Sequence, residues 1–181
     1  MDIDQNLLKI KRLARQRDDE NWEFRTFLKT HESKVHLDQL VHRLHDEIAS
    51  QIDCTSCANC CREVMPVLDR EDIETFALGL GMSPTDLTAQ YVVKQEDGLA
   101  FEMPCPFLEG NHCRNYESRP KGCRSYPHLH KERFAGRLIS VVLNCSVCPI
   151  VFNVYERLKQ ELWPRRSRDR FSRRRRFKGR R

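Results

Sequence analysis

The stretch "CTSCANCC", Cys54 to Cys61, places four cysteines in eight positions, and the last two are adjacent. Two residues between thiols let a tight turn aim both sulfurs at one point, a spacing that recurs in zinc and iron–sulfur sites. The same spacing returns at Cys145 and Cys148, and Cys105, Cys113 and Cys123 lie between the two runs. Nine cysteines in all cannot pair completely. One CxxC alone is weak evidence. Three CxxC pairs within one span read as metal ligation, and no βαβ pattern stands beside them to support a redox dithiol.

The bulk composition agrees. Of 181 residues, 39% are hydrophobic and 32% charged, so the apolar core is modest for the length and a metal site can add stability. No run of roughly 18 apolar residues is present, which excludes a single-helix membrane span. The opening "MDIDQNLLKIKRL" has no apolar h-region and does not read as a secretory signal. The expected location is therefore cytoplasmic, where thiols stay reduced and disulfides are rare. The net charge of +6 is uneven. Residues 165–181 hold eleven Lys or Arg and one Asp, a charge of +10, on an otherwise mildly acidic body. This tail is expected to be disordered alone and is a candidate contact for nucleic acid or another polyanion, with Phe171 and Phe177 able to stack on bases. Charge runs by themselves carry no sequence readout, so general polyanion affinity is the plainer reading.

Periodicity supplies the frame. Leu37, Leu40, Val41, Leu44 and Ile48 form one stripe and predict a helix over 35–51. Its polar face carries His36, His42 and His45. Two weaker helices precede it, the second capped by Asp18 or Asp19 and burying Trp22, Phe24, Phe27 and Leu28. After the cysteine run, "VMPVLD" reads as extended. Asp69 and Asp72 start a helix burying Ile73, Phe76, Ala77 and Leu80, with Gly79 and Gly81 as stops. Ser83 and Pro84 open another. "GLAFEM" (98–103) and "RLISVVLN" (137–144) are the strand candidates, separated by a Pro-, Gly- and Cys-rich loop region, 104–130. A last helix, 150–163, is capped by Cys148, where the helix N-terminus favours a thiolate. The expectation is an α+β fold, a small and mainly helical domain with short strands and irregular loops around a cysteine-rich metal site. Its organisation is expected as a helical extension, 1–33, the metal-binding domain, 34–163, and the basic tail, 164–181.

The candidate ligands are Cys54, Cys57, Cys60, Cys61, Cys105, Cys113, Cys123, Cys145 and Cys148. "CTSCANC" repeats the C-x2-C-x2-C spacing of bacterial ferredoxins, and Cys148-Pro149 resembles the Cys-Pro that closes their motif; this leans toward a 4Fe–4S cluster. Zinc needs only four sulfur or nitrogen ligands and stays open as the alternative. His112, His128 and His130 are candidate nitrogen ligands, though each singly reads more simply as a loop histidine. Adjacent Cys60 and Cys61, taken as extended backbone, point to opposite faces and so to more than one centre. Around Cys123, Arg119, Arg124 and Tyr126 are candidate cofactor-binding residues, because arginines can neutralise a thiolate-rich centre. Pro106, Pro120 and Pro127 are expected to hold the loops.

"CTSCANCC", "CPFLEGNHC", "RPKGCRSYP" and "CSVCP", in that order, resemble the YkgJ family, the CxxCxxCC cysteine-cluster domain, over about 50–150. The resemblance implies zinc or iron chelation through eight cysteines, the eighth being Cys145 or Cys148. This chain departs from the pattern before the vicinal pair, where Ala58-Asn59 stands in place of a frequent glycine. The family includes the catalytic region of flagellin lysine methylases, so a lysine N-methylase-like activity is a further implied reading. Three functions are thus carried forward: a cluster or zinc protein with redox, metal-handling or enzymatic use, a structural zinc module that binds RNA through 165–181, and a methylase-like enzyme. No catalytic residue, phosphate loop or dinucleotide fingerprint is identified, and protein partners are not legible.

Overall fold

The computed structural model describes residues 2–31 and 33–164. The basic tail and the polyanion contact expected of it lie outside the described residues. The elements run α1 (Leu7–Gln16), α2 (Asp18–His31), α3 (Lys34–Ala49), α4 (Cys54–Cys57), α5 (Cys60–Glu63), β1 (Val67–Leu68), α6 (Arg70–Leu80), α7 (Pro84–Tyr91), β2 (Val92–Gln95), β3 (Gly98–Phe101), β4 (Leu108–Glu109), β5 (His112–Cys113), α8 (Lys121–Ser125), a 3-10 turn (Phe134–Gly136), α9 (Leu138–Asn144) and α10 (Pro149–Leu162). Helix accounts for 59% of the structure and strand is confined to two small sheets, which is the mainly helical α+β class expected. The chain divides into two compact units, 1–52 with 129–181, and 53–128. The expected boundary at 33/34 falls inside the first unit.

The first unit is helical. α10 is its buried centre, with Ile150, Val151, Val154, Tyr155 and Leu158 all at 2% exposure or less. α3 packs on it through the stripe read from the sequence, and α1 and α9 also contact it. Lys159, only 2% exposed, is held by Glu156 (2.8 Å), Glu20 (3.3 Å) and the Asn21 amide oxygen (2.5 Å). Arg17 also bonds Glu156, so two cations meet two carboxylates. Burial of charge is tolerable only with pairing of this kind.

"RLISVVLN" is helix α9, not the expected strand. Leu138, Val141 and Val142 are buried at i, i+3 and i+4, whereas Ile139 and Leu143 are 52% and 61% exposed. An alternating strand would have put 139, 141 and 143 on one face. Packing against α2 and α10 overrides the β preference of this β-branched run.

In the second unit, β3 is the central strand of an antiparallel sheet in the order β1-β3-β2. Val67 pairs with Ala100, and Val92 with Phe101. The β2 strand was not anticipated; only β1 and β3 were. Phe76 of α6, Phe101 of β3 and Phe107 close the core, with ring centroids 4.8–5.1 Å apart. The start of α6 is built as expected. Asp69 accepts from the Asp72 N–H at 2.8 Å and Asp72 reciprocates at 3.3 Å. Gly81 ends the helix with φ 68°, while Gly79 is an interior position rather than a stop. Ser83 caps α7. The "loop region" holds two further elements, the β4–β5 hairpin and α8.

Candidate metal centre

The CxxCxxCC run folds as two single helical turns, α4 and α5. Asp53 caps the first, accepting from the Thr55 N–H at 2.9 Å and the Thr55 hydroxyl at 2.6 Å. The chain then reverses at Ala58, which takes φ 46° in the left-handed region while being 4% exposed. This lies in the Ala58-Asn59 pair before the vicinal cysteines, and only glycine enters that region without a steric cost. The reversal brings α5 back so that Cys60 and Cys61 open a second turn.

Cys60 and Cys61 are helical, not extended, so the expectation of opposite faces does not hold. Neighbours on a helix stand about 100° apart rather than 180°. The Cys60 side chain hydrogen-bonds the Cys61 sulfur, and this bond is the main cause that lowers the Cys61 thiol from 9.0 to about 6, with Arg62 and Arg119 adding to it against burial.

Cys61 is the hub of the unit. Its charge acts on Cys54, Cys105, Cys113 and Cys123. The Cys105 N–H donates to the Cys61 carbonyl at 3.4 Å, which fixes one of these approaches in the backbone. Two further turns aim backbone donors at sulfur: the Phe107 N–H bonds Cys105 and the Asn115 N–H bonds Cys113. Such bonds favour the thiolate over the thiol. Burial is nevertheless the larger cause, and it raises Cys105, Cys113 and Cys123, the last to about 12. Cys54 is the exposed end of the run; partial desolvation of its sulfur, then Cys57, raises it.

Each half of this thiol set is held by a different anchor. Cys123 sits on α8, whose Lys121 N–H donates to Asp72 at 2.8 Å and whose Lys121 ammonium bonds Asp69 (2.8 Å) and Glu71 (2.6 Å). Gly122 lies on Pro66 at contact distance, 3.5 Å from where a Cβ would stand. Cys113 sits on β5, opposite Leu108. Arg62 ties the cysteine run to that hairpin. Its guanidinium donates to the Cys57 carbonyl (3.2 Å), the Gly110 carbonyl (2.7 Å) and the Asn111 side-chain oxygen (2.6 Å), and the Asn111 amide returns to the Ser56 carbonyl at 2.6 Å. Arg62 was missed in the sequence; its place directly after the vicinal pair was the available signal.

Of the other expected residues, Arg119 is in the thiol neighbourhood, acting on Cys54, Cys61, Cys113 and Cys123. It lies 3.3 Å from the Tyr116 ring centroid and donates to the Tyr116 carbonyl at 2.7 Å. Arg124 is exposed. Tyr126 meets His128 edge-on, and His128 shares a 2.8 Å contact with the Ser125 hydroxyl. His112 is exposed on β5. His130 belongs to the helical unit, 6.0 Å from the His45 ring. Cys145 and Cys148 also belong to that unit, at 1% and 6% exposure. Cys148 is the residue that caps α10, as expected, and burial holds the Cys145 thiol far up.

The donor chemistry fits a thiophilic ion: seven free thiols in one unit, two of them met by backbone N–H groups, with arginine charge beside them. Among the described residues, no group of three or more His, Cys, Asp or Glu side chains is arranged to hold a metal ion as it stands.

Among the described residues no single helix is long and apolar enough to cross a membrane. No curated protein and no solved structure matches the chain. One family model does, over 53–141, a span that holds Cys54 to Cys123 and ends before Cys145 and Cys148. Residues 53–141 of this chain match the model of the CxxCxxCC family, whose description is "Putative zinc- or iron-chelating domain".

Proposed function

We propose that the 53–128 unit holds a thiolate-ligated metal centre with Cys61, Cys105, Cys113 and Cys123 as its inner set and Cys54, Cys57 and Cys60 on its flank. The observation that carries this reading is the backbone bond from the Cys105 N–H to the Cys61 carbonyl at 3.4 Å, supported by the electrostatic action of Cys61 on Cys105, Cys113 and Cys123. Four sulfurs suit tetrahedral zinc, and they equally suit one 4Fe–4S cluster. Bound zinc would supply a structural crosslink, whereas a bound cluster would supply a one-electron site. Arg119 and Arg62 offset the negative charge that gathered thiolates create. Arg124 and Tyr126, close in sequence to Cys123, are left outside the proposed set, as are Cys145 and Cys148, which are sealed in the helical core. Nine free thiols suit a reducing, cytoplasmic setting.

Anaerobic purification followed by metal analysis and an absorption spectrum tests the reading. Iron and sulfide with a broad visible band establish the cluster. Colourless protein with zinc establishes the zinc version. Folded protein that never takes up either metal overturns both. Structural zinc contributes roughly 10–16 kcal/mol to folding, so a chelator or Cys113→Ser is expected to loosen the 53–128 unit. Thermal melting unchanged in Cys113→Ser counts against a ligand there.

A further inference from the structure

We propose that Arg62 and Asn111 form a positioning clamp that holds the CxxCxxCC run and the Cys113 hairpin in register for ligation. The inference rests on the thiol-centre reading above. α4 and α5 have four residues each and β5 has two, so the local hydrogen bonds of each are few and none of them joins the cysteine run to the hairpin. The clamp supplies them. Arg62 bonds Cys57 on one side and Gly110 with Asn111 on the other, and Asn111 closes the ring on Ser56. All three acceptors of Arg62 are neutral oxygens, and no carboxylate is among them. The guanidinium is therefore used for its planar, multiple donors rather than as a counter-ion alone. Gly110, at φ 61° in the hairpin turn, places its carbonyl within that reach. The cation also stands beside Cys61, so a role through charge and a role through the clamp must be separated.

The test is a cobalt(II) titration of the full chain under reducing, anaerobic conditions, read by the thiolate-to-metal charge-transfer band with a competing chelator. Arg62→Ala is expected to weaken affinity about 10–100-fold, the range for residues that orient ligands. Far-UV circular dichroism of the metal-free variant is expected to match wild type. Arg62→Lys keeps the charge but cannot reach three acceptors, so it is expected to stay within threefold of Arg62→Ala. Asn111→Ala, which keeps Arg62 entirely, is expected to weaken affinity at least threefold, and it decides the matter if Arg62→Ala does not fold. Arg124→Ala, another exposed arginine near a cysteine, is expected to bind like wild type. Wild-type affinity in Arg62→Ala or Asn111→Ala, or full rescue by Arg62→Lys, overturns the clamp alone. Absence of the charge-transfer band in wild type overturns the thiol-centre reading itself.

Discussion

Gly79→Ala is expected to destabilise the protein by about 2 kcal/mol, although glycine to alanine inside a helix ordinarily stabilises by about 1 kcal/mol. Gly79 is interior to α6, and a Cβ there would stand 2.4 Å from the Ser118 hydroxyl oxygen, 2.5 Å from the Asn115 side-chain oxygen and 2.8 Å from the Ser118 Cβ. Rotating the serine hydroxyl away leaves the carbon contact, so the 115–118 backbone must move. Overpacking of this kind costs about 1–3 kcal/mol. Asn115 is 7% exposed and donates to the Phe76 carbonyl at 2.7 Å. If that bond breaks, a buried amide left unsatisfied costs about 1–3 kcal/mol more. Set against the helix-propensity gain of about 1 kcal/mol, the net loss is about 1 kcal/mol if the bond holds and about 3 kcal/mol if it breaks, with a midpoint near 2 kcal/mol. The movement also reaches the metal site, because the Asn115 N–H bonds the Cys113 sulfur. The assay is urea unfolding followed by far-UV circular dichroism. Gly122→Ala in α8 is the matched control: its Cβ meets Pro66 at an ordinary 3.5 Å, and it is expected to be neutral or slightly stabilising. A Gly79→Ala protein as stable as wild type would refute the packing argument.

Four other outcomes are expected. Ala58→Gly removes a left-handed alanine that costs about 1–2 kcal/mol, offset by about 0.4–1 kcal/mol of added chain freedom in the unfolded state, so a gain of about 0.5–1 kcal/mol is expected in the same unfolding assay. In metal-free protein, Cys61 is expected to be alkylated fastest, with a midpoint near pH 6, and Cys60→Ala should move that midpoint upward; an unchanged midpoint removes the Cys60 hydrogen bond as its cause. Cys123 behaves oppositely. Burial, then Cys61, raises it from 9.0 to about 12, so the folded state keeps a proton that the unfolded chain has lost. That contribution is fully present below pH 9 and is lost as pH rises toward 12, and Cys123→Ala should flatten this alkaline fall in stability. Finally, Lys159→Met removes the buried cation bonded to both Glu20 and Glu156, and a loss of about 3 kcal/mol is expected; a loss below 1 kcal/mol would show that the network is dispensable.

The elements that the sequence discloses are those whose signals are local. The stripe of α3, the Asp69–Asp72 box of α6, the Ser83-Pro84 start of α7 and the Cys148-Pro149 start of α10 each lie within a few residues of the structure they encode. α9 was misread for the same reason. Its residues prefer strand, and what makes them helical is burial of Leu138, Val141 and Val142 against other helices. Ala58 is an intermediate case: its departure from the family pattern was readable, but the left-handed turn that explains it was not.

The sequence by itself determined the candidate chemistry, a cysteine-rich chelating motif, because thiol number and CxxC spacing are properties of the chain. Only the tertiary structure decided which thiols come within electrostatic range of one another. Cys61 acts on Cys105, Cys113 and Cys123 because a sheet, a hairpin and α8 return the chain toward it. Arg62 finds its acceptors 48 and 49 residues away, a separation at which spacing carries no information. Adjacent Cys60 and Cys61 share a hydrogen bond because a helical turn, not an extended one, was available after Ala58. Ligand identity is a matter of composition, whereas ligand partition depends on where long-range packing returns the backbone.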